Sequence, residues 1–486
     1  MVTIEKKNET FLRIGAEMSQ HRELSDYFTF AVPEAKFLKQ QKRYKYWDGL
    51  IRLYSPGTGE LPVGLFHYLE EWLQKKEYDY TIVDNKYSGT PGEENTLITP
   101  EAVNGFVRSL GTPFKARDYQ LQSIYSALRH NRRLLLSPTG SGKSFIIYCL
   151  LRWHLQYNRE ILIIVPTTSL VEQLYKDIEQ YGFYARNTIH KIYGGRDRYN
   201  KSPVVISTWQ SIYKESKDYF NRFDVVIGDE AHLYKAKSLT GILNKCHNAK
   251  YRYGLTGTLD GMQCHQLQLE GMFGKVNNAI RTKDLQKKGH LTELKINVLL
   301  CKHDYIGFDS YFDEINYIIS HEKRNNIITG LARDLVGNTL ILFNYVEKHG
   351  EPLYEMINSK AGDKHIFFIH GKVPTEEREE ARQICEDTDN AIILASYGTF
   401  STGINIKNLH NVIFASPSKS KIRNLQSIGR ALRKHDSKSQ ATLYDFADDI
   451  SNGRFNNATL NHLVERIRQY KDEKFDYSIT KIKLGN

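Results

Sequence analysis

Residues 132–151 read RRLLLSPTGSGKSFIIYCLL. A short apolar run passes into a Gly- and Ser-rich segment and then into a second, longer apolar run. Residues 132–137 have the length of a buried strand, and 142–157 have the length of a helix. Between them SPTGSGKS (Ser137–Ser144) lies where a strand hands over to a helix, the context a phosphate-binding loop requires. Gly140 and Gly142 permit backbone angles that turn several N–H groups inward. The helix N-terminus adds positive potential. Lys143 is then the candidate for the β- and γ-phosphates of ATP, and the Ser144 hydroxyl for Mg²⁺. Pro138, Thr139 and Ser141 complete the loop. The strict pattern begins with Gly where this chain has Ser137, and a small residue fits there.

The same rhythm continues outward. EILIIVP (160–166), PVVIST (203–208) and FDVVIGDE (223–230) are apolar strands, separated by helical stretches such as 168–181. Apolar strands with helical crossovers imply a parallel sheet covered on both faces. GDEAH (228–232) ends one such strand, where an open α/β sheet places its ligand chemistry. Asp229 is the candidate to hold Mg²⁺, and Glu230 the candidate general base for an attacking water. Over 275–292 the pattern pauses in charged and polar residues. It resumes with TLILFN (339–344), KHIFFIHG (364–371), NAIILAS (390–396) and NVIFAS (411–416). Two α/β domains in tandem are expected, over 106–283 and 290–470, with a tail at 471–486. Residues 1–83 read as a small α+β unit. Residues 84–105 read as a linker and connecting helix, with Thr99 as N-cap and Pro100 at the first helical position.

The chain has 486 residues, too many for one core, and roughly two to four domains are expected. Lys and Arg number 67 against 56 Asp and Glu, a net charge of +11 that suits a polyanion partner. The five cysteines show no CxxC pairing and fit a reducing compartment. Cys246-His247 and Cys264-His265 do not match common zinc spacings. No apolar run approaches bilayer length, so a cytoplasmic protein with no membrane partner is expected. Residues 36–54, KFLKQQKRYKYWDGLIRLY, mix cations with aromatics. Lys39, Lys42, Arg43 and Lys45 are the candidates to meet DNA phosphates, while Trp47 and alternate residues of LIRLY suit a small core.

Near the C-terminus QSIGRALRK (426–434) sets two arginines three apart. Alone it reads as an exposed basic helix face. In company it is the last of eight stretches that, in order, resemble the superfamily 2 helicases: FKARDYQ (114–120), SPTGSGKS, VPTTSLVEQ (165–173), STWQS (207–211), DEAH, LTGT (255–258), ASYGTFSTGIN (395–405) and QSIGRALR (426–433). The resemblance implies two RecA-like helicase domains that use ATP. It implies Arg430 and Arg433 as arginine fingers, with Gln426 in the same motif, because a rigid guanidinium suits a spreading phosphoryl charge. By position it implies Arg117 and Gln120 at the adenine and Thr256 and Thr258 in coupling. The resemblance likewise implies Thr167, Thr208, Gln210, His370, Thr399 and Ser401 at the nucleic-acid backbone. Gly403 resembles the tight-turn glycine of the fifth motif, and Asn405 stands where Asp is often found.

RYKYWDGLIRLY (43–54), LPVGLF (61–66) and ASYGTFSTGINIKNL (395–409) narrow the likeness. They are similar to the UvsW-type phage DNA helicases. That resemblance implies a recombination and repair motor, acting in the host cytoplasm if phage-encoded. It would remodel branched DNA by fork regression, branch migration and unwinding of R-loops or D-loops, with 3′ to 5′ polarity. It implies branched, duplex and single-stranded DNA as partners, RNA within R-loops, and single-strand-binding or recombination proteins. Three alternatives stay open: a DEAH-type RNA helicase, a nucleotide-gated clamp or annealing factor, and a motor working beside a nuclease.

Overall fold

The computed structural model describes every residue except 34, 36–44, 361, 404–405, 453–455 and 485–486. It divides into two compact units. One comprises Met1–Ser137 and Gly142–Ala279, the other Pro138–Ser141 and Ile280–Asn486.

In the first unit a seven-stranded parallel sheet runs in the order Val276–Asn278, Arg132–Leu136, Tyr251–Thr256, Val225–Asp229, Ile161–Val165, Val204–Thr208, Ile189–Ile192. Its strands alternate between two cores. Ile161, Ile163 and Val165 enter the core on one face, and Leu162 and Ile164 the core on the other. That is why ILIIV is apolar throughout. The helix Lys143–Leu155 is buried over Phe145–Leu151 and lacks a polar face in its middle. The helix Pro100–Ser109 starts as expected, with the Thr99 hydroxyl accepting from the Ala102 N–H at 3.2 Å. It runs past the expected boundary at 105 and buries Val103 and Val107 in the sheet's core, so both of its halves pack on the α/β domain.

The N-terminal residues form a four-stranded sheet in the order Glu60–Pro62, Phe11–Gly15, Val2–Lys6, Tyr80–Val83. The helices Met18–Tyr27 and Phe66–Lys75 accompany it. Its core takes in Leu267 from the helix Gln263–Phe273 of the α/β part. Gly64 approaches the same helix so closely that a Cβ there would stand 1.9 Å from the Glu270 carbonyl oxygen. The turn after the first strand pushes Glu9 into the base of the large sheet. Its carboxylate meets Arg132 and Lys6, each at 2.7 Å, and its N–H donates to the His247 carbonyl at 3.0 Å. Arg252, 1% exposed, donates to the Thr10 hydroxyl at 2.8 Å. Burial alone would raise the Glu9 carboxyl, but Arg132 and Lys6 outweigh it and hold it below its ordinary value.

The second unit holds another seven-stranded parallel sheet, ordered His365–Ile369, Ala391–Ser396, Thr339–Phe343, Asn411–Phe414, Gln440–Asp449, Glu293–Lys302, Asp476–Lys483. The last strand corrects the expected tail at 471–486: residues 476–483 pair in register with 295–302. It is an edge strand with mostly exposed side chains, so the apolar pattern that marks an inner strand is missing. Likewise the polar pause at 275–292 contains the short strand Val276–Asn278 and the helix Thr282–Lys287. Among the described residues no helix is long and apolar enough to cross a membrane.

Candidate nucleotide site

The phosphate loop leaves the strand Arg132–Leu136 at Ser137, which is fully buried and donates its N–H to the Thr256 carbonyl at 2.8 Å. A buried, close-packed start explains why a small residue is needed there. Gly140 and Gly142 have φ of +81° and +83°. A Cβ on Gly142 would stand 2.5 Å from the Gln120 side-chain nitrogen, so both conformation and space require glycine. Ser141 closes the turn, its hydroxyl donating to the Pro138 carbonyl at 2.6 Å. Lys143 opens the helix, with its Nζ 3.4 Å from the Ser137 carbonyl oxygen. The Ser144 hydroxyl lies 2.9 Å from that of Tyr181. Gln120 is buried in the first turn of Asp118–His130, where its Oε1 accepts from the Arg117 N–H at 2.9 Å. Arg117 donates to the Tyr119 hydroxyl at 2.8 Å. One member of the expected adenine pair, Gln120, thus fills the space beside the loop's Gly142.

Asp229 ends the strand Val225–Asp229. Burial of its carboxyl, then the neighbouring Glu230 carboxylate, push it up to about 6 against the pull of Lys143. Glu230 is held at φ +47°, a costly angle for a side-chain-bearing residue, with its N–H on the Asp229 carboxylate at 2.9 Å. His232 is buried between two motifs, its Nδ1 3.4 Å from the Glu230 carboxylate and 3.0 Å from the Thr256 hydroxyl. The Thr256 hydroxyl also donates to the Thr258 carbonyl at 3.3 Å. This chain of contacts ties Glu230 to Thr256 and Thr258. His232 was named in the sequence only as part of DEAH, and nothing in the sequence gives its partner.

The donor set suits a nucleotide with Mg²⁺. The Ser144 hydroxyl and Asp229 carboxylate are hard oxygen ligands, and the burial and neighbouring Glu230 charge that raise the Asp229 carboxyl to about 6 are what a divalent cation would offset. The glycine backbone offers N–H groups where a side chain has no room.

Other expected residues are placed as follows. Thr167 caps the helix Thr168–Gln180, accepting from the Leu170 N–H at 3.4 Å. Thr208 is buried with its hydroxyl 2.9 Å from that of Ser211, and Gln210 reaches the Pro166 carbonyl at 3.5 Å. In the second unit Thr399 is buried and bonded to the Ser396 hydroxyl at 2.8 Å. Thr208 and Thr399 therefore offer little side-chain surface to a strand. His370 follows the strand His365–Ile369, its ring centroid 5.1 Å from that of Phe368. Arg430 lies on the helix Lys421–Ala431 with Gln426, donates to the Phe400 carbonyl and covers the Phe400 ring at 5.2 Å. Arg433 follows one turn on, its N–H on the Arg430 carbonyl at 3.3 Å. Gly403 ends the helix Tyr397–Gly403. Lys45 is exposed. Lys39, Lys42, Arg43 and Asn405, and the side chain of Ser401, lie outside the described residues.

Two parallel sheets with phosphate-loop chemistry at a strand end define the class, an ATP-using helicase of two RecA-like domains. Family profiles agree. "Type III restriction enzyme, res subunit" matches residues 113–261, and "Helicase conserved C-terminal domain" matches residues 322–435. The chain is 35% identical to the ATP-dependent DNA helicase UvsW of Enterobacteria phage T4, over 97% of this chain and 98% of that protein. The crystal structure of T4 UvsW is similar with a TM-score of 0.50 at 32% identity, covering all of both chains. The restriction-modification enzyme LlaBIII bound to DNA shares the fold, with a TM-score of 0.56 at 18% identity over 77% of this chain and 32% of that one. The chain belongs to the UvsW family of ATP-dependent DNA helicases.

Proposed function

We propose that the protein remodels branched DNA, driving fork regression, branch migration and the removal of R-loops or D-loops, with 3′ to 5′ polarity. One observation carries this reading. The likeness to a phage DNA helicase runs over 97% of the chain and so takes in the N-terminal unit as well as the motor. The RNA helicase, the clamp and a nuclease partnership are the readings it displaces. Branched, duplex and single-stranded DNA are the proposed ligands, with RNA in R-loops. Single-strand-binding or recombination proteins are the proposed partners, and the host cytoplasm the place of action.

At the site, Lys143 and the loop N–H groups bind the phosphates, and Arg117 and Gln120 take the adenine. Ser144 and Asp229 hold Mg²⁺, which when bound neutralises phosphate charge. Glu230 takes the proton of the attacking water, oriented by its strained backbone. Arg430 and Arg433 supply guanidinium charge to the transferred phosphoryl group. Thr256 and Thr258 pass the state of Glu230, through His232, to the strand-contacting residues.

The test is a steady-state ATPase assay at fixed salt without nucleic acid, with single-stranded DNA, with single-stranded RNA and with a four-way DNA junction. Lys143→Ala is the blank. Stimulation greatest with the junction is expected. Stimulation by RNA alone would replace the reading with an RNA helicase, and no stimulation would leave the clamp.

A further inference from the structure

Tyr181 follows the helix Thr168–Gln180 as its C-cap, its N–H on the Asp177 carbonyl at 3.0 Å. Its ring packs edge-on against Phe145 and Phe114, at centroid distances of 5.3 and 6.1 Å with planes 85° apart. Tyr148 leans on it at 5.2 Å. The ring is therefore fixed from three sides. Its hydroxyl lies 2.9 Å from Ser144 Oγ, across 37 residues of sequence. Burial pushes the phenol up to about 12, so it stays a neutral hydroxyl at any working pH.

A neutral serine that binds a cation does so through an oxygen lone pair, and its proton then points away from the metal and needs an acceptor. We propose that Tyr181 is a positioning residue for Ser144: the phenol oxygen accepts a hydrogen bond from the serine hydroxyl and so turns a serine lone pair toward the cation. The inference rests on the reading of Ser144 as a Mg²⁺ ligand. It adds a route as well. The helix that ends at Tyr181 begins at Thr167, the residue proposed to meet the DNA backbone. Thirteen residues of helix make a strut of ~20 Å. Nucleic acid at one end then bears on the metal ligand at the other.

The test is a titration of Mg²⁺ into nucleic-acid-free protein holding a fluorescent, non-hydrolysable ATP analogue, so that no turnover is read. Wild type, Tyr181→Phe, Ser144→Ala and the double variant are compared, and the metal-free melting temperature of each is recorded. Tyr181→Phe keeps the ring and loses only the hydroxyl. It is expected to raise the Mg²⁺ concentration for half-saturation about tenfold, leave the metal-free melting temperature unchanged, and add nothing in the Ser144→Ala background. Adding single-stranded DNA is expected to lower half-saturation in wild type and not in Tyr181→Phe. An unchanged titration in Tyr181→Phe while Ser144→Ala shifts would overturn the inference alone. A shift that persists in the Ser144→Ala background would also overturn it, because the hydroxyl would then act elsewhere. An unchanged titration in Ser144→Ala would remove the underlying reading of the serine.

Discussion

The two α/β sheets have seven parallel strands each, yet they use their ends differently. In the first, glycines with positive φ follow the strand Arg132–Leu136, at Gly140 and Gly142, and the neighbouring strands finish in Asp229 and Thr256. In the second, Gly337 and Gly362, with φ of +85° and +61°, precede the strands Thr339–Phe343 and His365–Ile369. There the bare backbone makes turns at the opposite edge, and the C-terminal edge carries Asn344, His370 and Ser396 instead. Among the described residues, then, one architecture ends in a glycine loop beside Asp229 and Thr256, and its twin in Asn344, His370 and Ser396 with Arg430 on a helix. The fold says where a site belongs, and the strand-end residues say which chemistry it can carry.

Lys143→Ala is the most severe way to probe that contrast. It is expected to reduce ATP turnover below detection while DNA binding, read by fluorescence anisotropy, stays near wild type. Retained turnover would mean that the glycine loop is only a turn, like those of the second sheet. Arg430→Ala tests the other half. Its kcat is expected to fall by roughly 10³–10⁵, with little change in analogue affinity, if the second domain contributes charge rather than binding. Normal hydrolysis by that variant would return the arginine helix to ordinary surface.

A smaller effect follows from Asp229. Folded, its carboxyl keeps a proton up to about pH 6, whereas the ordinary value is 3.8. Between those values the folded chain binds more protons than the unfolded one, so stability falls as pH rises through the window. Asp229→Asn should therefore melt a few degrees above the metal-free wild type at pH 7.5, and the gap should close by pH 4. A constant gap across that range would assign the difference to packing. Mg²⁺ is expected to bind more weakly below pH 6 in wild type, where the proton competes. The mildest test is charge reversal at Lys42, Arg43 and Lys45, which should weaken DNA binding and flatten its salt dependence. Unchanged binding would assign that stretch to packing.

The inner strands, the glycine loop between strand and helix and the acidic strand end were legible because each is a local pattern: apolar runs of strand length, glycines at fixed offsets, a carboxylate at a strand terminus. Thr99 and Pro100 gave a helix start for the same reason. What the sequence hid was tertiary. The strand Asp476–Lys483, DYSITKIK, is mostly polar, breaks its alternation at Thr480-Lys481 on an exposed edge, and reads as a tail. The contacts of Tyr181 with Ser144 and of His232 with Thr256 join residues far apart in the chain, and no spacing rule announces them. Thr208 and Thr399 fit the pattern of backbone-contacting hydroxyls, but their burial is visible only once the sheets are assembled.

The insertion of Glu9 between Arg132 and Lys6 has a thermodynamic consequence. Separating the N-terminal sheet from the large one would take Arg132 from the Glu9 carboxylate and Arg252 from the Thr10 hydroxyl, and strip Leu267 from its cover. Neither part can melt while the other stays whole, so Met1–Ser137 and Gly142–Ala279 should unfold in one calorimetric transition. A pull on the N-terminal sheet would then be borne by the strands that lead to the phosphate loop and to Thr256. The small sheet would act as a handle fixed to the engine block rather than as a tethered accessory.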